Sequence, residues 1–129
     1  MILAINTSTL QFSMALMAED ETVLGEFSVS KGKGHFGGLM PALDSLLTTT
    51  RSDIHDLRAV IVAIGPGSFT GLRVGLSTAK GLCHALEVPI IGISSLKALA
   101  SQIPSSHSPI TPIIDSRKGE FFAAQFTWS

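Results

Sequence analysis

The chain of 129 residues has one cysteine, no excess of charge of either sign, and no apolar run near the length of a membrane span. Cys83 alone cannot form an intrachain disulfide, which fits a reducing, cytoplasmic setting. It lies among Leu82, Ala85 and Leu86 and reads as a buried, inert thiol. Nine Lys and Arg against ten Asp and Glu give a net charge of −1. That balance leaves no global basic excess for direct nucleic-acid binding, so any RNA is expected to be held by something else. A membrane helix needs about 20 consecutive apolar residues, and none is present. Met1 to Ile5 also lacks the basic flank and the length of a secretory signal. With 45% apolar content, the length suits one ordinary domain, or one domain and a piece of another.

What the chain does have is a glycine-rich block. Gly65 to Lys80 reads GPGSFTGLRVGLSTAK and follows the unbroken apolar run Ala59 to Ile64. Such a run is the pattern of a strand buried on both faces of a parallel sheet. The loop then stands at the carboxyl end of a central strand, where open α/β sheets bind ligands. Gly65 and Gly67 also read as plain turn positions around Pro66, with Ser68 or Thr70 capping the next helix. The residues alone leave both readings open. A Walker-type phosphate loop is excluded, because it needs Lys and then Ser or Thr directly after its last glycine. Here Leu72 and Arg73 follow Gly71.

Around this block the chain reads as alternating elements. Ile2 to Asn6, Phe12 to Ala18 and Thr22 to Val29 are expected to be three short-linked strands of an antiparallel meander. A link at Lys31 to Gly34 leads to a helix carrying Phe36, Leu39, Met40, Leu43, Leu46 and Leu47 at i, i+3, i+4, i+7 spacing, its regular part beginning near Leu39 because of Pro41. Ala59 to Ile64 is the fourth strand, Thr70 to Leu86 a long helix, Pro89 to Ile93 a fifth strand, and Ser94 the cap of a helix to about Gln102. The proline-bounded segment Pro104 to Pro109 reads as a boundary. Beyond it, Thr111 to Asp115 and Glu120 to Trp128 form a second hairpin. Each hairpin opens with a strand ending in Asn6 or Asp115, then a small polar turn, which suggests a degenerate duplication and two related lobes.

Five blocks together resemble the bacterial TsaB (YeaZ) family. They are Ile2 to Ser8, His35 through Pro41, the GPGSFTGLRVG block from Gly65 to Gly75, Pro89 to Leu96, and Ile114 to Glu120. The resemblance implies an α/β fold: a ribonuclease-H-like lobe of the actin-like and sugar-kinase superfamily over residues 1–105, then the first hairpin of a truncated second lobe over 106–129. It implies a non-catalytic scaffold that pairs with TsaD, with TsaE joining as an ATPase, in making N6-threonylcarbamoyladenosine at adenosine 37 of tRNA. The RNA is then met only through the complex. On this view the partner surface consists of Leu39, Leu43, Leu46, Leu47, Arg73, Leu76, Ala79 and Cys83. Arg73 is placed beside the glycine loop, its guanidinium holding loop carbonyls or a partner carboxylate in a fork that Lys cannot reproduce. The aromatic face and unpaired edge of the second hairpin are expected to be covered by a second copy or by the first lobe folding back, a two-fold homodimer through the helices being favoured for the chain by itself.

The competing class is a nucleotide-binding ATPase or kinase-like enzyme. The superfamily's first hairpin normally presents an Asp that organises Mg²⁺, and the matching residue is Asn6, which lacks the charge a hard cation favours. Weak ATP or ADP binding at Asn6, Thr7, Ser8, Gly65, Gly67 and Ser68 is left open, with Asp115 at the equivalent place on the second hairpin, and turnover is not expected. A zinc peptidase needs paired histidines at i and i+4. His35 is followed at that spacing by Leu39, and His55, His84 and His107 have no such partner, so no metal site is expected. Gly32 to Gly37 matches G-x-G-x-x-G with Asp53 beyond it, but the match follows an antiparallel strand, which a dinucleotide fold does not allow.

Overall fold

The structure, a computed structural model, describes residues 1–9, 11–29, 35–104 and 107–128, and only the backbone of residues 35 and 36. Strands β1 (Ile2–Asn6), β2 (Phe12–Met17) and β3 (Val23–Val29) form the expected antiparallel meander. Because side chains alternate along a strand, Leu3, Ile5, Phe12, Met14 and Leu16 are buried together on one face. Ile2, Ala4, Ser13 and Ala15 point to the other and are half-buried. β4 (Ala59–Gly65) pairs in parallel with β1, and β5 (Ile90–Ser94) in parallel with β4, giving the order β3-β2-β1-β4-β5. The link at Lys31 to Gly34, with the start of the G-x-G-x-x-G match, lies outside the described residues.

Two helices cover the first face of the sheet. α1 (Leu39–Thr50) lies across β2 and β3, and α2 (Phe69–Leu86) across β4 and β1. A 3-10 turn over His35–Gly38 precedes α1. Pro41 is tolerated because its missing N–H falls among the four amides that have no partner within the helix. Leu39, Leu43 and Leu46 of α1 meet Ala79, Leu82 and Cys83 of α2 and Leu3, Leu16, Val60 and Val62 of the sheet in a single core.

That core corrects the expected partner surface. Leu39, Leu43 and Leu46 are 2%, 1% and 4% exposed, and Ala79 and Cys83 are also buried. A five-stranded sheet has enough apolar surface to occupy both helical stripes, each leucine contributing about 1.5–3 kcal/mol by its burial. The helices therefore have no surplus apolar patch at these positions. Leu47 and Leu76 are half-buried and Arg73 is exposed.

The second face of the sheet is only partly covered. α3 (Ser95–Ala100) packs mainly on β4 and β5, and Ile61 and Ala63 remain half-buried. Ile64, which points to the helix-covered face with Val60 and Val62, is exposed. β4 is thus not buried on both faces along its whole length. An open cleft of about 600 Å³ runs along the second face, between Ile2, Ala4, Ala15 and Ile61 on the sheet, Leu99 on α3, and Ile114. β6 (Ile113–Asp115) and β7 (Phe121–Ala123) form a separate two-stranded antiparallel sheet, continued by an isolated bridge between Ile110 and Phe126. The last strand is shorter than its sequence pattern predicts, and Phe121, Phe122 and Trp128 are exposed. Among the described residues, no helix is long and apolar enough to cross a membrane.

Candidate functional site at the ends of the parallel strands

β1 ends in Asn6, whose Oδ1 accepts hydrogen bonds from the Ser8 amide at 3.0 Å and the Ser8 hydroxyl at 2.7 Å. This Asx turn points the next two residues inward. Thr7 is fully buried and Ser8 nearly so. Thr7 packs against α2 at Gly75, where an added Cβ would collide with the Thr7 hydroxyl and lie 3.2 Å from its Cβ. Ser8 meets the glycine loop. A Cβ on Gly67 would run into the Ser8 carbonyl oxygen, and the Ser68 amide donates to that oxygen at 2.6 Å.

The close approach that the Gly-Pro-Gly turn permits is therefore made to the chain's own backbone. Gly65 turns the strand at φ 101°, and the following bond to Pro66 is cis. Ser68 is the N-cap of α2, its hydroxyl accepting from the Gly71 amide at 3.2 Å, while Thr70 lies within the helix. Asn6, Thr7, Ser8, Gly67 and Ser68 thus lie together, largely bonding and packing against one another. Asp115 is on the separate hairpin. Its carboxylate accepts the Arg117 amide at 2.7 Å, within its own turn.

Two buried hydroxyls, Thr7 Oγ1 and Ser95 Oγ, have no hydrogen-bond partner among the described residues. Ser95 opens α3 and, with Asn6, Ser8 and Thr9, gives the cleft a polar end. Sequence reasoning missed Ser95, since a serine after a serine cap carries no signal of its own. Cys83 donates to the Pro89 carbonyl at 3.6 Å, and burial pushes its thiol pKa up, away from thiolate chemistry. Arg73 does not hold the loop carbonyls. Its guanidinium carbon lies 5.3 Å from the centroid of the Phe69 ring. Phe69 was also missed, because an apolar residue at a helix start reads as core. Among the described residues, no three His, Cys, Asp or Glu side chains gather where they could hold a metal ion.

Comparison with known proteins extends these observations. The family model for TsaD, described as tRNA N6-adenosine threonylcarbamoyltransferase, matches residues 23–128. A Bacillus subtilis protein described as tRNA threonylcarbamoyladenosine biosynthesis protein TsaB is 39% identical over 127 residues, which cover 98% of this chain and 55% of that protein. The Escherichia coli protein of the same description is 35% identical over 97% of this chain and 54% of its own length. The solved structure of YeaZ from Pseudomonas aeruginosa superposes with a TM-score of 0.87 at 27% identity, covering 99% of this chain and 60% of that one. The chain thus spans a little over half the length of these relatives. With matches that run through the Asn6 turn and the glycine loop alike, the chain belongs to the TsaB/YeaZ family of TsaD-like proteins.

Proposed function

We propose that this chain serves N6-threonylcarbamoyladenosine biosynthesis as a non-catalytic scaffold that pairs with a TsaD homologue. The fold reading that goes with it is a ribonuclease-H-like lobe of the actin-like and sugar-kinase superfamily, followed by the opening hairpin of a second, related lobe. The two turns support that reading. Asn6 and Asp115 each end a strand, each accepts the amide two residues on, at 3.0 and 2.7 Å, and each is followed six positions later by the phenylalanine that starts the returning strand.

The observation that carries the scaffold reading is the state of Asn6. A phosphoryl-transfer site on this fold needs a carboxylate at the end of the first strand to organise the metal. Here that position holds an amide, and its oxygen is engaged twice by Ser8. The glycine loop beside it is closed down on Ser8 rather than open to a phosphate. These residues do not fit a nucleotide-hydrolysing centre, which weighs against the ATPase or kinase-like alternative. Isothermal titration with ATP and Mg²⁺, followed by a phosphate-release assay, separates the two. No release, with weak binding or none, is expected; stoichiometric binding with turnover would establish the enzyme reading instead.

A further inference from the structure

We propose that two copies of this chain pair about a two-fold axis, the β6–β7 hairpin of each filling the open cleft on the second sheet face of the other. Across that face the register sets Ala4 beside Ala15 and Ala15 beside Glu26, and, two residues along, Ile2 beside Met17 and Met17 beside Val23. Cross-strand partners share a face, so the floor of the cleft is apolar, with small alanines that leave room above them. Glu26 is the one charged residue that lines it. At the end marked by Met17 and Val23, the β2–β3 turn adds Glu19, Asp20 and Glu21, all exposed. Glu19 lies near the Met1 amine and Arg58, whereas Asp20, Glu21 and Glu26 form no ion pair among the described residues. The cleft is thus apolar along its length and acidic at one end.

The hairpin has the opposite character. Ile114 lines the chain's own cleft, and Phe122, its partner in register, shares its face. Ile113 and Phe121 project from the other face and are 58% and 66% exposed. Between Asp115 and Glu120 the tip carries only cations, Arg117 and Lys118, both exposed and neither in an ion pair among the described residues. An apolar strand face with a positive tip complements an apolar cleft with an acidic end. Because Ile114 belongs to both features, hairpin and cleft adjoin on each chain, as a self-complementary two-fold contact requires. A two-stranded hairpin is marginal in water by itself, so the second copy also supplies the packing that β6 and β7 lack. Leu39, Leu43 and Leu46 of α1 lie in the chain's own core and offer no alternative contact.

Sedimentation equilibrium at micromolar concentration tests this with the parent chain, with Phe121→Ser, and with two charge reversals. One reversal combines Arg117→Glu with Lys118→Glu, the other Glu21→Lys with Glu26→Lys. All five side chains are exposed, and far-ultraviolet circular dichroism serves as the folding control. The parent is expected to have a dimer mass that falls with added salt, and Phe121→Ser to weaken pairing by about tenfold or more. Each reversed chain alone sets like charges against each other and is expected to be a monomer. An equimolar mixture of the two restores opposite charges at both contacts and is expected to recover the dimer. A monomeric parent overturns the proposal, as does a parent dimer that neither reversal disturbs, since it must use another surface. Folded reversed chains that stay monomeric when mixed overturn the pairing of tip with acidic turn. None of these results bears on the scaffold role, which the dimer does not require.

Discussion

Glycines 67, 75 and 81 share one residue type and have three different neighbourhoods. Gly67 and Gly75 are pinned from the same side, by the carbonyl of Ser8 and the hydroxyl of Thr7, whereas nothing lies within 4 Å of a Cβ placed on Gly81. Alanine in a helix interior normally gains roughly 0.5–1 kcal/mol over glycine. Gly81→Ala is therefore expected to raise the melting temperature and Gly75→Ala to lower it, although the two sit six residues apart on the same helix. Because the Gly75 clash is chiefly with the Thr7 hydroxyl and methyl, Thr7→Ala is expected to recover much of the loss in the double variant, a coupling of about 0.5–3 kcal/mol in a double-mutant cycle. Equal stabilisation by Gly75→Ala and Gly81→Ala would show that the β1 turn does not sit against α2. At this scale the sequence was legible as to kind and silent as to partner. A Gly-Pro-Gly turn announces that something comes close, but the same three residues serve a phosphate or a neighbouring carbonyl, and only the packing of Ser8 decides between them.

Among the elements, the meander, the parallel extension and both long helices follow from patterns that local physics enforces: strand alternation, β-branched runs, and leucines at helical spacing. The end of α2 at Leu86 is where the pattern puts it, whereas α1 runs on to Thr50, and both helices stop on left-handed residues that are not glycine, Arg51 at φ 53° and Glu87 at φ 54°. The larger error concerned what the leucine stripe is for. Periodicity marks a buried face without saying whether the chain itself or another protein buries it. The structure assigns Leu39, Leu43 and Leu46 to the chain's own core, and this changes what mutation there does. Leu43→Ala is expected to cost about 2–5 kcal/mol of stability through the cavity it leaves, measurable by urea denaturation, and a charge at that site is expected to unfold the protein. A Leu43→Ala variant that melts like the parent yet fails to bind a partner would restore the leucine stripe as an interface. Two apolar residues of the same helices are exposed instead: Met40, which the spacing counts into the leucine stripe, and Phe69, which opens α2 and reads as core.

On the scale of the whole molecule, apolar surface is unevenly covered. α1 and α2 protect one face of the sheet, while the other is left to a six-residue helix and an open cleft, and Phe121, Phe122 and Trp128 of the hairpin stand exposed. Surfaces of this kind on one chain are commonly completed by another polypeptide, which fits the proposed scaffold role. Family membership was legible because the glycine block, the Asn6 turn and the Asp115 turn survive in order along the chain; the orphaned hydroxyl of Ser95 was not, since it depends on how α3 meets the sheet. The most direct measurement of the scaffold claim is reconstituted tRNA modification, in which N6-threonylcarbamoyladenosine is quantified after incubating tRNA and threonylcarbamoyl donor with the TsaD homologue, with this chain, and with both. The account predicts product only, or far more of it, when both are present, and none from this chain alone. Modification that proceeds equally without this chain, or that this chain performs unaided, would contradict it.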